Sequence, residues 1–375
     1  MLDNHRCRHL AIACGGTGGH FYPTLAVAKE YTLRGGKVTL LVSGRHAKEQ
    51  MDIARSYNFN AVKTTTVHSP ESLFQYFTYP GKLWQCVREV RKILLALAPD
   101  VLLGMGSFAA VPACLALPRQ QLPLVLHEGN AFMGKANRLL SRKASAIGLS
   151  LPLADRRQLH GCYAEMVGMP LREAIVLAAQ MPAPSEYFLP SLGLDNSRKT
   201  VLVFGGSQGA KAVNELFRDS AALFSPWQDR LQFLHLTGTD DNAALHEAYK
   251  AAGVPASIRR GDPSIENCYR AADLVLCRAG ASSICELALF GKPVVLIPLP
   301  TAADDHQRIN AETLVKAGAA KYFPQVQANP GTLLACLQDW LDNPAPWQAM
   351  GEKLKTLARP RAATALTDLL EKFSA

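Results

Sequence analysis

No stretch of this 375-residue chain reaches the roughly 18 consecutive apolar residues of a membrane-spanning helix. Its first residues, MLDNHRCRHLAIACGG, lack the apolar core of roughly 7–15 residues that marks a secretory signal. The expectation is a chain that stays in the cytoplasm. The nine cysteines, at 7, 14, 86, 114, 162, 268, 277, 285 and 336, form no CxxC pair and no zinc spacing. They read as buried reduced thiols, not as a disulfide frame or a metal site. No GxxxxGK[ST] segment occurs, which argues against triphosphate hydrolysis on a P-loop. No DxD pair occurs either. Low-complexity tracts are absent, and 48% hydrophobic against 19% charged residues is a globular balance. At this length, two domains are expected rather than one.

Charge is not lacking but is unevenly spread. Residues 1–150 carry 18 Lys+Arg against 8 Asp+Glu, or +10; the rest carries 22 against 23, or −1, giving the total of +9. An anionic partner for the first half follows, either a membrane surface or nucleic acid. No recognised nucleic-acid motif accompanies the charge, so the membrane ranks first. The segment ESLFQYFTYPGKLWQCVREVRKILL, 71–95, mixes Leu73, Phe74, Phe77, Tyr79, Leu83 and Trp84 with Lys82, Arg88, Arg91 and Lys92. That mixture suits the interface of an anionic bilayer; a core helix with a solvated basic face is the alternative.

Short apolar runs alternate with helical patterns in the first half. LAIAC, KVTLLV, DVLLG, PLVLH and SAIGLS read as strands; PTLAVAKEYTLR, FAAVPACLAL and MGKANRLLSRK read as helices, the first with Pro23 near its first position. Residues 178–199 hold three prolines and no periodicity, and read as a linker. The alternation then restarts with strands KTVLVF, RLQFLHL, ADLVLC and KPVVLIP. Two α/β domains with doubly wound parallel sheets follow, with ligands at strand carboxyl ends facing a shared cleft.

Glycine-rich turns sit at those strand ends. CGGTGGH, 14–20, follows a strand and precedes a helix, so backbone N–H groups can approach a phosphate. A dinucleotide site wants an acid at the end of the second strand, where Ser43, Gly44 and Arg45 stand instead. Arg45 keeps an NADP oxidoreductase open as a distant alternative. GMGS (104–107), HEGN (127–130) and GGSQGA (205–210) are further strand ends. RAGASSICE, 278–286, places Ser282 and Ser283 at a helix start, where N–H groups and the helix dipole favour an anion. Glu286, one turn on, suits the vicinal hydroxyls of a ribose, or stabilises the helix as an N-terminal acid. Asp304, Asp305 and His306 crowd another helix start; capping by Asp304 or Asp305 is preferred to a metal.

Together GGTGGHFYPTLAVA, GMGS, LHEGN, GMPLR, GGSQGA, CRAGASSICE and DDHQRINAETLVKAGAA resemble the MurG family in order and spacing over nearly the whole chain. That family makes lipid II by adding N-acetylglucosamine from UDP-N-acetylglucosamine to undecaprenyl-pyrophosphoryl-N-acetylmuramoyl-pentapeptide, lipid I. The resemblance implies a GT-B fold of two Rossmann-like domains. Residues 1–172 would bind acceptor and membrane, joined by a C-terminal helix at about 360–375, and 173–359 would bind the donor. It implies Thr17, Gly18 and Gly19 at the donor sugar and diphosphate, and Asn130 and Gln307 at the sugar. Arg172 and Ser207 would meet the phosphates, and Ala281, Ser282, Ser283, Ile284, Cys285 and Glu286 the diphosphate and ribose. The segment from Asp262 to Ile265 would meet uracil. His20 is the first candidate base, or it only orders the glycine loop; His127 and Glu128 are lesser alternatives. No cofactor and no obligatory metal is expected. The implied place is the cytoplasmic face of the inner membrane, with other proteins of cell-wall synthesis as further partners. Gly129, Phe108 and Met169 depart from the family's glutamine, tyrosine and asparagine, on the acceptor side and the hinge. A GT-B transferase with another lipid acceptor is the nearest rival.

Overall fold

The computed structural model describes residues 8–16, 18–67, 73–117, 122–181, 185–205 and 211–374, with the backbone alone for 73–77. Two compact units are present, Met1–Arg172 with Arg361–Ala375, and Glu173–Pro360. The first holds β1 (His9–Gly15), β2 (Lys37–Ser43), β3 (Asn60–Lys63), β4 (Val101–Gly104), β5 (Leu124–Glu128), β6 (Ala146–Leu149) and β7 (Tyr163–Met166). They form one parallel sheet in the order β3-β2-β1-β4-β5-β6-β7. The second holds β8 (Lys199–Phe204), β9 (Leu231–Leu236), β10 (Ala256–Arg259), β11 (Leu274–Cys277), β12 (Val294–Leu296) and β13 (Lys321–Tyr322). Its parallel order is β10-β9-β8-β11-β12-β13. In both sheets the order reverses at the first strand, the doubly wound arrangement.

The central strands are the apolar runs of the sequence, because a parallel strand covered on both faces has no side left for polar residues. Alternation along β1 divides its side chains between two layers. Leu10, Ile12 and Cys14 join Phe21, Val27 and Tyr31, while Ala11 and Ala13 join Val90, Leu94 and Leu126. The helix Ala362–Phe373 closes the first of these layers with Leu366, Leu369 and Leu370. Arg34 Nη1 pins that helix by donating to Asp368 Oδ1 at 2.7 Å and Glu371 Oε2 at 2.8 Å. In the second unit Phe217, Phe224, Phe233, Trp340 and Trp347 fill one core.

Several local readings change. The first helix spans Gly18–Leu33, so Pro23 lies in its interior and not at its first position. The glycine segment itself is wound into the first turn, and Pro23 has no N–H for the Gly19 carbonyl. Residues 178–199 are not a free linker. They belong to the second unit, with Leu189 and Leu194 buried and the Asp195 N–H donating to Gln232 Oε1 at 2.8 Å. FAAVPACLAL forms a 3-10 turn, Phe108–Ala110, and a short helix, Val111–Leu115. All eight described cysteines are free thiols; six are buried, and Cys162 and Cys285 are half-buried. Burial pushes the Cys114 thiol up to about 12.

The helix Leu73–Leu97 is sharply two-faced. Cys86, Val90 and Leu94 are buried, and Leu83, Val87 and Leu97 pack against the same layer. Leu83 therefore faces the core and leaves the expected membrane patch. Lys82, Trp84, Arg88, Arg91, Lys92 and Leu95 face outward, Trp84 being 64% exposed with the Arg88 guanidinium 5.5 Å from its ring centre. The side chains of Leu73, Phe74 and Phe77 lie outside the described residues. Among the described residues no helix is long and apolar enough to cross a membrane.

The Leu366→Ala substitution removes a fully buried side chain from the joint between the C-terminal helix and the first sheet. It is expected to cost about 2–5 kcal/mol. The exposed Leu139→Ala serves as control within about 0.5 kcal/mol. Urea unfolding of both variants measures the difference.

Candidate functional site

In the first unit β1 runs into the glycine turn. Gly15 has φ +140° and its Cβ position would lie 2.1 Å from the Ser43 carbonyl oxygen, so only glycine fits. Gly16 follows at φ +84°. Gln50 Nε2, from the next helix, donates to the Gly16 carbonyl at 2.9 Å, a buried contact that nothing in the sequence marks. Thr17 lies outside the described residues; Gly18 and Gly19 open the helix, the second of them exposed.

His20 stands in that first helical turn. Its Nδ1 donates to the Met105 carbonyl at 2.8 Å, in the loop that leaves β4. β4 is the neighbour of β1, so this bond ties together the two loops at the point where strand order reverses. A ring that donates through Nδ1 carries its basic lone pair on Nε2. The half-buried His20 is thus held in the tautomer that a proton acceptor needs.

The neighbouring HEGN strand end is a frame. His127 is buried, with Nε2 2.9 Å from Ser150 Oγ and donating to the Gly168 carbonyl at 3.2 Å. Burial, and secondarily the nearby charge of a protonated His20, lower its pKa to about 4. Such a ring stays neutral and is a poor base, which corrects its place among the candidates. Glu128 is only 3% exposed. Its Oε1 accepts from Asn130 N at 2.9 Å and Asn130 Nδ2 at 3.3 Å; its Oε2 accepts from Gly134 N at 3.0 Å and Asn137 Nδ2 at 2.9 Å. A buried carboxylate engaged by these N–H groups shapes the 129–134 loop and holds Asn130 in it.

Arg172 is half-buried, its guanidinium 5.7 Å from the Tyr22 ring centre. Of the three departures, Gly129 is half-buried in the Glu128-held loop and Phe108 is 38% exposed at the start of a 3-10 turn. Met169 is buried, its sulfur 4.0 Å from Ser150 Oγ.

In the second unit the glycine segment after β8, with Ser207, lies outside the described residues. Next to β8, β11 leads through Gly280, extended at ψ 136°, into the helix Ala281–Phe290. Ser282 and Ser283 occupy the first turn half-buried, ahead of buried Ile284 and half-buried Cys285. Glu286 Oε2 accepts from the Tyr269 hydroxyl at 2.6 Å. Tyr269 is buried in the helix Ile265–Ala271 and went unnoticed in the sequence, where a tyrosine before an apolar strand reads only as core.

Two more contacts knit the strand ends. Arg278 Nη1 donates to the Ile297 carbonyl at 3.0 Å, and Asn310 Nδ2 to the Ala279 carbonyl at 3.0 Å. The helix His306–Lys316, carrying Gln307, thereby docks beside the Ala281 turn. Gln307 Oε1 accepts from Leu299 N at 3.0 Å, and the residue is half-buried. Asp262 follows β10 and accepts from Ser264 N at 2.8 Å and Arg259 Nη1 at 2.5 Å, which fixes the turn from Asp262 to Ile265. Asp304 and Asp305 are both left-handed, at φ 52° and 54°; Asp305, at the N-cap position, makes no side-chain cap and pairs with Arg308 instead. Among the described residues no three His, Cys, Asp or Glu side chains are grouped to hold a metal ion.

Glycine turns, helix starts and fixed polar groups at the carboxyl ends of two doubly wound sheets define a protein of the GT-B fold class. The glycosyltransferase family 28 N-terminal domain matches residues 10–149, and the family 28 C-terminal domain matches 200–366. An N-acetylglucosamine transferase of Verminephrobacter eiseniae is 38% identical over 336 residues, covering 89% of this chain and 90% of the relative. One from Colwellia psychrerythraea is 32% identical over 371 residues, covering 97% and 92%. Both carry the name UDP-N-acetylglucosamine--N-acetylmuramyl-(pentapeptide) pyrophosphoryl-undecaprenol N-acetylglucosamine transferase. The crystal structure of MurG from Acinetobacter baumannii superposes with a TM-score of 0.76 at 27% identity, covering 97% of this chain and 99% of that one. The chain belongs to the MurG family of N-acetylglucosamine transferases, and is a hexosyltransferase.

Because His127 is neutral in the folded state down to about pH 4, while the unfolded chain takes up that proton near pH 6.5, its contribution is complete above pH 6.5. It declines as pH falls through the interval, by up to about 1.4 kcal/mol per pH unit. Urea unfolding between pH 7.5 and 5 is expected to show the slope, and His127→Asn to make it shallower. An unchanged slope in that variant shows that His127 is not held neutral.

Proposed function

We propose that this chain transfers N-acetylglucosamine from UDP-N-acetylglucosamine to the C4 hydroxyl of the N-acetylmuramic acid of lipid I, giving lipid II for peptidoglycan. The observation that carries this reading is the start of the Ala281–Phe290 helix, with Ser282 and Ser283 in its first turn and Glu286 oriented by Tyr269 one turn later. A helix N-terminus favours an anion, and a fixed carboxylate accepts from two hydroxyls. The pair matches the diphosphate and ribose of a UDP-sugar. In this reading Ala281 to Glu286 hold diphosphate and ribose, the turn from Asp262 to Ile265 meets uracil, and Ser207 and Arg172 meet phosphate. Thr17, Gly18 and Gly19 approach the sugar-diphosphate, and Asn130 and Gln307 approach the sugar.

The donor linkage is α and the product linkage β, so one inverting displacement suffices. The acceptor C4 oxygen bonds to the anomeric carbon as the bond from that carbon to the phosphate oxygen breaks and UDP leaves. His20 Nε2 takes the hydroxyl proton. The helix N–H groups and Arg172 stabilise the departing diphosphate, with no metal required.

UDP release is expected only when UDP-N-acetylglucosamine and a lipid I analogue are both present, and to persist in EDTA. Equal release with a diacylglycerol acceptor overturns the reading of the acceptor, and loss of activity in EDTA that Mg²⁺ restores overturns the metal-free step. His20→Ala is expected to lower kcat about 10²–10⁴-fold; an unchanged kcat removes His20 as base.

The same reading puts the chain at the cytoplasmic face of the inner membrane, held peripherally through Lys82, Trp84, Arg88 and Arg91 on the outward face of the Leu73–Leu97 helix, with Leu73, Phe74 and Phe77 preceding them. Basic residues near an anionic leaflet contribute about 1 kcal/mol each. Co-sedimentation is expected with anionic vesicles, not with neutral ones, and to weaken in K82E/R88E/R91E. Equal binding to both vesicles, or none, sinks it.

A further inference from the structure

Tyr269 meets Glu286 through its hydroxyl while its ring packs among other aromatic rings. The Tyr269 ring is fully buried, packed at 5.9 Å from the Phe204 ring and 5.4 Å from the Phe290 ring. Those contacts are made by carbon. The hydroxyl reaches out of this aromatic cluster to a carboxylate on a different helix, at 2.6 Å. A buried tyrosine hydroxyl requires a partner, yet the partner here is an acid at the mouth of the Ala281–Phe290 helix. Charged acceptors bind a hydroxyl more strongly than neutral ones do.

We propose that Tyr269 is the positioning residue for nucleoside recognition: by occupying Glu286 Oε2, it fixes the carboxylate plane so that Glu286 discriminates a ribonucleoside from a deoxyribonucleoside donor. The inference rests on the reading of Glu286 as the ribose acceptor and deepens it. Two features of the fold and one property of glutamate support it. Phe204 ends β8 and Phe290 ends the Glu286 helix, so both ends of the Tyr269 ring contact are set by elements that bracket β11. The Ile265–Ala271 helix leads directly into β11, so the phenol sits on an element joined to the strand that carries the Gly280 turn. Glutamate has three side-chain torsions, and a carboxylate that must order itself on each binding event loses affinity for the hydroxyls it meets. Sites built around a fixed hydrogen bond to a hydroxyl reject analogues lacking it far more strongly than flexible ones.

The test compares UDP-N-acetylglucosamine with its 2′-deoxyuridine and 3′-deoxyuridine counterparts, in the wild-type protein and in Tyr269→Phe and Glu286→Gln, with an acceptor analogue held constant. The wild type is expected to prefer the ribo donor. Tyr269→Phe is expected to raise the donor KM about tenfold, leave kcat at saturating donor within about twofold, and cut the ribo-to-deoxy preference in kcat/KM about tenfold; all three are order-of-magnitude expectations for one charge-assisted hydrogen bond. A purely structural role would lower stability and activity toward all three donors alike. Glu286→Gln is expected to lose most of the preference. A Tyr269→Phe enzyme that keeps the wild-type preference, beside a Glu286→Gln enzyme that loses it, overturns the inference about Tyr269 alone. A Glu286→Gln enzyme that keeps the preference removes the ribose reading, and this inference with it.

Discussion

His20 Nδ1 donates to the Met105 carbonyl across the junction of β1 and β4, and the first candidate site is organised around that bond. The two strands are neighbours, but their crossovers leave to opposite sides of the sheet, which is where a doubly wound fold opens a crevice. The described part of the glycine segment brings the chain close to its neighbours at this junction. Gly15 lets the chain pass the Ser43 carbonyl, Gln50 restrains Gly16, and the Gly18–Leu33 helix begins at once. A bulkier turn would move the imidazole away from Met105 and release its tautomer.

The second unit repeats the constraint with different groups. Strand order reverses between β8 and β11. The helix after β11 begins at Gly280, and its acid, Glu286, is oriented from another segment by Tyr269. In each unit the group proposed to meet substrate is therefore set by a partner remote in sequence, 85 residues away for His20 and 17 for Glu286. Buried polar residues such as Glu128, His127 and Arg278 connect the strand-end loops. Hydrogen bonds of this kind hold a loop in one shape, because breaking one leaves a polar group unpaired in a low-dielectric interior.

Much of the architecture was legible in the chain. β1, β4, β5, β6 and β8 are continuous apolar runs because both faces of a parallel sheet are covered. β3, β7, β10 and β13 were not legible. They are edge strands of two to four residues, half-exposed, and NAVK or YAEM carries no periodic signal. The prolines of 178–199 suggested a linker, but Pro190 sits in a helical turn whose Leu189 is buried in the second unit. Asp305 looked like a cap, but it stands left-handed at the N-cap position without a cap bond, its carboxylate paired with Arg308.

The order of the glycine motifs was enough to place the chain in its family, since backbone access at strand ends is a local property written in consecutive residues. Local sequence cannot say which polar side chain meets substrate and which one frames it. His20 and His127 are both histidines at strand ends, as Glu128 and Glu286 are both acids there. Burial separated the first pair, holding His127 neutral inside the unit. Burial separated the second as well, with Glu128 enclosed among N–H donors and Glu286 half-buried beside the Tyr269 hydroxyl. Burial and hydrogen-bond partners come from segments distant in the chain, so those distinctions exist only once the sheets have brought the segments together.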